Sequence, residues 1–198
     1  MMEKMIDCRG MACPLPVVNT KKATEEMNTG DVLKVTVDNE IAVKNLEKLA
    51  QTQNYTTSCE AVEGGFHVTF SGDGSAAPVE EYSTKKPNNW ALFVNKDSIG
   101  TNEGDLGPSL ITMFFYTLCE SNDPPRYVLF MNEGVKLPAE NEQIADHLKT
   151  LQEKGTEVLV CGTCLKFYGI ADKLMTGNVS NMYDISERMH AADKVISL

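Results

Sequence analysis

Asp7-Cys8-Arg9-Gly10-Met11-Ala12-Cys13-Pro14-Leu15-Pro16 places a cysteine directly before a proline, where a strand-like run gives way to a helical one. The helical side runs from Val17 to Met27, with Val17, Val18, Ala23 and Met27 as its apolar positions and Lys21 and Lys22 charged. A proline suits the first turn of a helix, because its missing N–H would have no partner there. Cys13 is therefore expected at or next to the N-cap, with its sulfur facing unpaired backbone N–H groups and the positive end of the helix dipole. Such a setting lowers a thiol pKa and favours a thiolate or persulfide anion. Arg9 adds positive charge nearby in sequence. A capping cysteine can equally be structural, and a Cys-Pro pair alone does not separate the two readings.

Around this stretch the pattern alternates. Lys4 to Cys8 reads as a short strand, Gly30-Asp31 as a turn, and Val32 to Val37 as a strand rich in β-branched residues. Asp38 or Asn39 can cap a second helix whose apolar stripe is Ile41, Ala42, Leu46, Leu49 and Ala50. Thr56 to Val62 and Phe66 to Phe70 form a hairpin around Gly64-Gly65. The class expected for residues 1–72 is α/β, a two-layer β-α-β-α-β-β sandwich with both helices on one face of a mixed sheet. Residues 73–87, rich in Gly, Ser and Pro and without periodicity, read as a flexible linker.

Residues 88–198 repeat strand and helix. Trp90 to Val94, Tyr127 to Met131, Glu157 to Val160, Val179-Ser180 and Lys194 to Leu198 are the strands. Helices are expected over Leu106 to Glu120, Glu142 to Lys154, near Cys164, and over Ile185 to Ala192. Apolar strands between helices predict a three-layer α/β/α open parallel sheet of about five strands, covered on both faces. Ligands gather outside the carboxyl ends of such strands. Asn95 to Ser98, Asn132-Glu133-Gly134, Cys161 to Cys164 and Ser180-Asn181 fall there. Cys161-Gly162-Thr163-Cys164 leaves a strand and enters a helix, which favours reactivity at one thiol: the pair is expected to be exposed, with Cys161 at the strand end and Cys164 at the helix start as the more acidic thiol. Its candidate roles are a redox dithiol, half of a metal site, or a sulfur-accepting pair. No second Cys-x-x-Cys exists, and His67, His147 and His190 are scattered, so no metal or cofactor is expected. Cys59 alternates along a strand and Cys119 lies beside Phe115 and Tyr116, which fits structural roles.

The chain carries 18 basic and 28 acidic side chains, a net charge of −10. No basic stripe is left to neutralise phosphates, which argues against nucleic acid as a partner. Glu3, Lys4 and Asp7 interrupt the N-terminal stretch, so no signal peptide is expected, and no run reaches membrane-spanning length. A cytoplasmic location is the expectation, with six reduced cysteines.

The pattern Asp-x-Arg-Gly-x-x-Cys-Pro-x-Pro, with Lys21-Lys22-Ala23, Gly30, Leu33-x-Val35 and Asp38, resembles the TusA/SirA family of small sulfur-carrier proteins. The resemblance implies a two-layer fold and a persulfide carried on Cys13, supported by Arg9, Pro14 and Pro16. Cys8 departs from the family pattern; a resolving thiol and a plain strand residue are the two readings, and the strand reading is the favoured one. Cys-Gly-Thr-Cys-Leu-x-x-Tyr-Gly at Cys161 to Gly169, Asn132 to Lys136, Asn181-Met182-Tyr183 and Ala192 to Ser197 resemble DsrE-like domains. The tandem resembles the YedF-like subgroup, sulfurtransferase-like proteins linked to selenium metabolism. It implies a carrier of sulfur or selenium in which Cys161 and Cys164 accept or resolve what Cys13 brings, with Asn132 in support. Implied partners are a sulfur donor such as a cysteine desulfurase and a downstream sulfur or selenium acceptor protein. DsrE-like domains often assemble, so a homo-oligomer through the second domain is a further expectation. Two alternatives stand beside this reading: a metal-holding module built from Cys8, Cys13, Cys161 and Cys164, and a dithiol oxidoreductase using Cys161 and Cys164 alone.

Overall fold

The computed structural model describes residues 2–72, 88–100 and 104–198. They fall into two compact units, one holding residues 2–72 and the other residues 88–100 and 104–198. The linker expected at 73–87 lies outside the described residues.

In the first unit, β1 (Glu3–Asp7) and β2 (Val32–Val37) pair in parallel, Glu3 opposite Val32 and Asp7 opposite Thr36. Parallel strands cannot be joined by a tight turn, and α1 (Leu15–Glu25) makes the crossover. The Asn39 side chain then caps α2 (Glu40–Thr52) by accepting from the Ala42 N–H at 2.9 Å. β3 (Thr56–Val62) and β4 (Gly65–Ser71) form an antiparallel hairpin that inserts β4 beside β2, giving the order β1-β2-β4-β3. Leu33, Val35 and Val37 alternate inward on β2, where they meet Val68 and Phe70 of β4 and the Leu46–Ala50 face of α2. Each fully buried side chain of this size contributes about 1.5–3 kcal/mol.

The second unit is a parallel sheet in the order β8-β7-β6-β5-β9. Its strands are β5 (Trp90–Val94), β6 (Tyr127–Phe130), β7 (Glu157–Cys161), β8 (Asn178–Ser180) and β9 (Lys194–Ser197). The connecting helices are α3 (Leu106–Cys119), α4 (Lys136–Glu140), α5 (Glu142–Glu153), α6 (Gly162–Tyr168) and α7 (Met182–Ala191). From β5 the chain steps outward to β8, and α3 and α5 pack on each other along the way. It then returns past β5 to β9, so a right-handed crossover puts α7 on the opposite face. β6 is buried along its whole length, as a strand covered on both sides must be.

The expected architecture is present in both units, and the differences are local. α1 begins at Leu15, two residues ahead of Val17, and ends at Glu25. α7 begins at Met182 instead of Ile185, because the Asn181 side chain caps it through the Asp184 N–H at 3.1 Å. A 3₁₀ turn at Asn132–Val135 leading into α4 was not expected, since neither piece is long enough to show a periodicity.

Gly65 sits at φ +153°, and a Cβ there would lie 2.1 Å from the Val37 carbonyl oxygen. Only glycine fits so close to β2. Gly65→Ala should therefore loosen the hairpin by roughly 2 kcal/mol. Amide hydrogen exchange on β2 and β4 checks this: protection there should fall by one to two orders of magnitude, an effect on the order expected from that energy.

Candidate functional site

The loop between β1 and α1 is tied down from several sides. The Cys8 N–H continues the ladder by donating to the Thr36 carbonyl at 2.8 Å. The Arg9 guanidinium grips the Asp7 carboxylate in a two-point pair, Nη2 to Oδ2 at 2.7 Å and Nε to Oδ1 at 3.0 Å. This pair holds the Asp7 carboxyl down at about 2. Gly10, at φ +73°, donates its N–H to Asp38 Oδ2 at 2.6 Å. That bond and the neighbouring Asn39 amide hold Asp38 below the usual carboxylate range. Asp38 thus anchors the loop, while the capping role falls to Asn39. The Asn19 amide steadies Met11 from α1.

Cys13 emerges from this loop exposed, one residue ahead of Pro14, the N-cap of α1. Its expected surroundings need a correction. Pro14 and Pro16 carry no N–H, the Leu15 N–H donates to the Ala12 carbonyl at 2.9 Å, and the Val17 N–H donates to the Pro14 carbonyl at 3.0 Å. The first turn therefore has no unpaired N–H to offer the sulfur. Arg9 spends its guanidinium on Asp7. What Cys13 does face is the groove between α1 and α2. On one side the thiol borders a small hollow of about 40 Å³ with Met11, Val17, Asn39, Ile41 and Asn45. On the other it borders an open depression of about 350 Å³ lined by Pro14, Val17, Asn45, Lys48, Leu49 and Thr52. Cys8 is 1% exposed, inside the core, and burial pushes its thiol above the ordinary value.

In the second unit the polar loops converge at the carboxyl edge of the sheet. Cys161 ends β7 and is the N-cap of α6, with 3% exposure. Cys164 lies in the first turn of α6, half-buried, and both thiols are reduced. The Asn132 N–H, from the turn after β6, donates to Cys164 Sγ at 3.2 Å. The Tyr168 hydroxyl donates to Asn132 Oδ1 at 3.3 Å. Lys136 lies 5.0 Å from the centre of the Tyr168 ring and pairs with Asp97 at 3.3 Å and Glu133 at 3.9 Å. Cys164 was expected to be the more acidic thiol. Instead burial pushes it above the ordinary value and the Cys161 neighbour adds to the rise, while the Asn132 N–H acts the other way. Cys161 was expected to be exposed and is not.

Among the described residues no cluster of His, Cys, Asp or Glu is arranged to hold a metal ion. Cys8 and Cys161 are each buried in their own core, which removes two thiols that a four-cysteine metal site would need. No helix among the described residues is long and apolar enough to cross a membrane. Cys59 is exposed on β3, and Cys119 is buried on α3 with its thiol donating to the His147 carbonyl at 3.2 Å.

The family model described as Sulfurtransferase TusA matches residues 4–71, and the one described as DsrE/DsrF-like family matches residues 91–198. A Methanocaldococcus jannaschii protein assigned as a sulfur carrier is 39% identical over 66 residues, which is 88% of its length and 33% of this chain. The chain belongs to the TusA and DsrE/DsrF-like families. The sulfur carrier protein TusA of Allochromatium vinosum is 33% identical over 66 residues, covering 87% of that protein and 33% of this chain. A solved SirA-like protein of Desulfitobacterium hafniense is 39% identical and covers 35% of this chain and 95% of its own, with a TM-score of 0.32. The TusA domain is thus a sulfur-carrier domain, and the DsrE-like domain makes up most of the rest. Within the TusA domain, Asp38 acts as loop anchor, a role that its place in the motif signalled but did not specify. Within the DsrE-like domain, Lys136 and Tyr168 join the site. Both lie inside the motifs at Asn132 to Lys136 and Cys161 to Gly169, which was the available signal.

Two outcomes follow from these environments. Brief alkylation of the native protein, mapped by peptide mass, should label Cys13 and Cys59 first and Cys164 more slowly. Cys8, Cys119 and Cys161 should react only on unfolding, as their burial requires. The Asp7–Arg9 pair has a depressed carboxyl, so its contribution is complete above the unfolded pKa, near 3.9, and is lost as pH falls through the folded value. An NMR titration should show the Arg9 Hε resonance moving with a midpoint at about 2. A midpoint near that of a free aspartate would mean the pair is open in solution.

Proposed function

We propose that the protein receives sulfur as a persulfide on Cys13 and passes it to Cys164. The observation that carries this reading is the contrast among the thiols. Cys13 is exposed at an open depression of about 350 Å³, while Cys8, five positions earlier, is sealed in the core. A donor such as a cysteine desulfurase can reach Cys13 along that groove. Arg9, Pro14 and Pro16 serve by shaping the loop: Arg9 through its grip on Asp7, and the prolines by starting α1 directly behind the thiol.

Transfer is a thiol–disulfide type of exchange. The Cys164 thiolate attacks the outer sulfur of the Cys13 persulfide. The bond from Cys13 Sγ to that sulfur breaks, a bond to Cys164 Sγ forms, and Cys13 leaves as thiolate. A proton on the outer sulfur travels with it, and no net oxidation occurs. Cys164 is the receiving thiol on this reading because it is the more exposed of its pair. Cys161 then resolves: its thiolate attacks Cys164 Sγ, a disulfide forms, and the outer sulfur departs with the electron pair as hydrosulfide. The next cycle needs an external thiol reductant. Carriage of both thiols on one chain raises the local concentration of each around the other. The same steps serve selenium in place of the outer sulfur.

Intact mass spectrometry after incubation with a cysteine desulfurase and cysteine tests the reading. The wild-type chain should gain sulfur, and Cys13→Ser should lose loading entirely. In Cys161→Ser, which lacks the resolving thiol, the added sulfur should accumulate on Cys164. Full loading of Cys13→Ser would overturn the assignment.

A further inference from the structure

Asn132 stands in an unusual backbone conformation. Its φ is +48°, a region in which a side chain other than that of glycine or asparagine is penalised. The turn that holds it is pinned against β5. The Met131 N–H donates to the Val94 carbonyl at 3.0 Å, and Gly134 lies so close that a Cβ would stand 2.3 Å from that same oxygen. The turn cannot relax toward the sheet, and its left-handed residue sends an N–H at Cys164 Sγ, 3.2 Å away. The Asn132 side chain is held in turn by the Tyr168 hydroxyl, and Lys136 sits over the Tyr168 ring between Asp97 and Glu133. Residues that follow β5, β6 and β7 are thus linked in one array, which reaches this sulfur through the Asn132 N–H. Strained conformations of this kind persist where the surroundings over-determine them, and they cluster at working sites.

We infer that Asn132 is a positioning residue for Cys164: its left-handed backbone aims the N–H that holds the anionic sulfur of Cys164, and Tyr168 clamps it in place. This rests on the reading of Cys164 as the receiving thiol. The N–H stabilises the thiolate that must attack the incoming persulfide. Among the described residues, the titratable and charged groups of this array are Cys161 at the end of β7, Tyr168 on α6, Glu133 and Lys136 after β6, and Asp97 after β5, with Lys166 on α6 and Lys96 beside Asp97 exposed to solvent.

The test is the pH profile of Cys164 alkylation in the full chain carrying Cys161→Ser, with Cys164 followed by peptide mass. Asn132→Gly keeps both the N–H and the left-handed backbone and gives up only the Oδ1 that Tyr168 holds, so its midpoint should move no further than that of Tyr168→Phe. Asn132→Ala penalises that backbone and should move the midpoint up by about one pH unit, the shift expected on loss of one hydrogen bond to a charged group. Tyr168→Phe should move it in the same direction by less. Coincident profiles for the glycine and alanine variants would overturn the assignment. A second measurement needs no variant at Asn132: in the Cys161→Ser chain, the Asn132 amide proton should shift downfield as Cys164 ionises, and a resonance indifferent to that ionisation also sinks the proposal. Sulfur loading is read in parallel. If Cys164 takes up no sulfur while its profile still depends on Asn132, the relay fails and the positioning stands. If sulfur arrives at Cys164 with a profile indifferent to Asn132, the relay stands and the positioning fails.

Discussion

Parallel strand pairing is the constraint on which both halves of this protein depend. A parallel pair cannot close through a two-residue turn, so the chain must leave the carboxyl end of a strand, cross the sheet in a helix and re-enter beside the first strand. A junction between strand end and helix start is therefore unavoidable, and rigid elements hold it on both sides. β1 and α1 bracket Cys13 in this way, while β7 runs directly into α6, with Cys161 as the last residue of the strand and Cys164 in the first turn of the helix. Two unrelated sheets have placed their candidate thiols where a strand gives way to a helix.

The energetics divide cleanly between core and loop. The stability of the first domain lies in Leu33, Val35, Val37, Leu46 and Phe70, all shut away from water. The Asp7–Arg9 pair is half exposed on both sides, and exposed ion pairs contribute little net stability. Its contribution is geometric: with the Gly10–Asp38 bond it fixes where the chain goes between Cys8 and Pro14. In the second domain the buried strands carry the stability, and the polar array of Asp97, Asn132, Lys136 and Tyr168 lies at their rim.

The strands and amphipathic helices were legible in the sequence because their signal is periodic. Val32 to Val37 alternates, Trp90 to Val94 is continuously apolar, and the α2 stripe recurs at helical spacing. Helix starts were less legible. α1 begins at Leu15 between two prolines, and α7 begins at Met182 because of a cap three residues ahead of Ile185. Least legible were the surroundings of each thiol. The donor to Cys164 comes from a residue 32 positions away on another strand's loop, and no local pattern announces such a partner. The bare first turn of α1 was readable in principle, since both prolines are in plain view. A helix start offers free N–H groups only where its residues own one, and Pro14 and Pro16 own none.

On the proposed carrier reading, the two prolines behind Cys13 bear on how sulfur would be given away. Every donor that grips a bound sulfur anion deepens the energy well from which that sulfur must later escape. A first turn with no free N–H group would leave that well shallow. Sulfur held so loosely would exchange in either direction at similar cost, and the direction of traffic would then be set by which partner is present and loaded. Such a site would behave less like a receptor, which is measured by how tightly it holds, than like a ferry, which is measured by how readily it unloads.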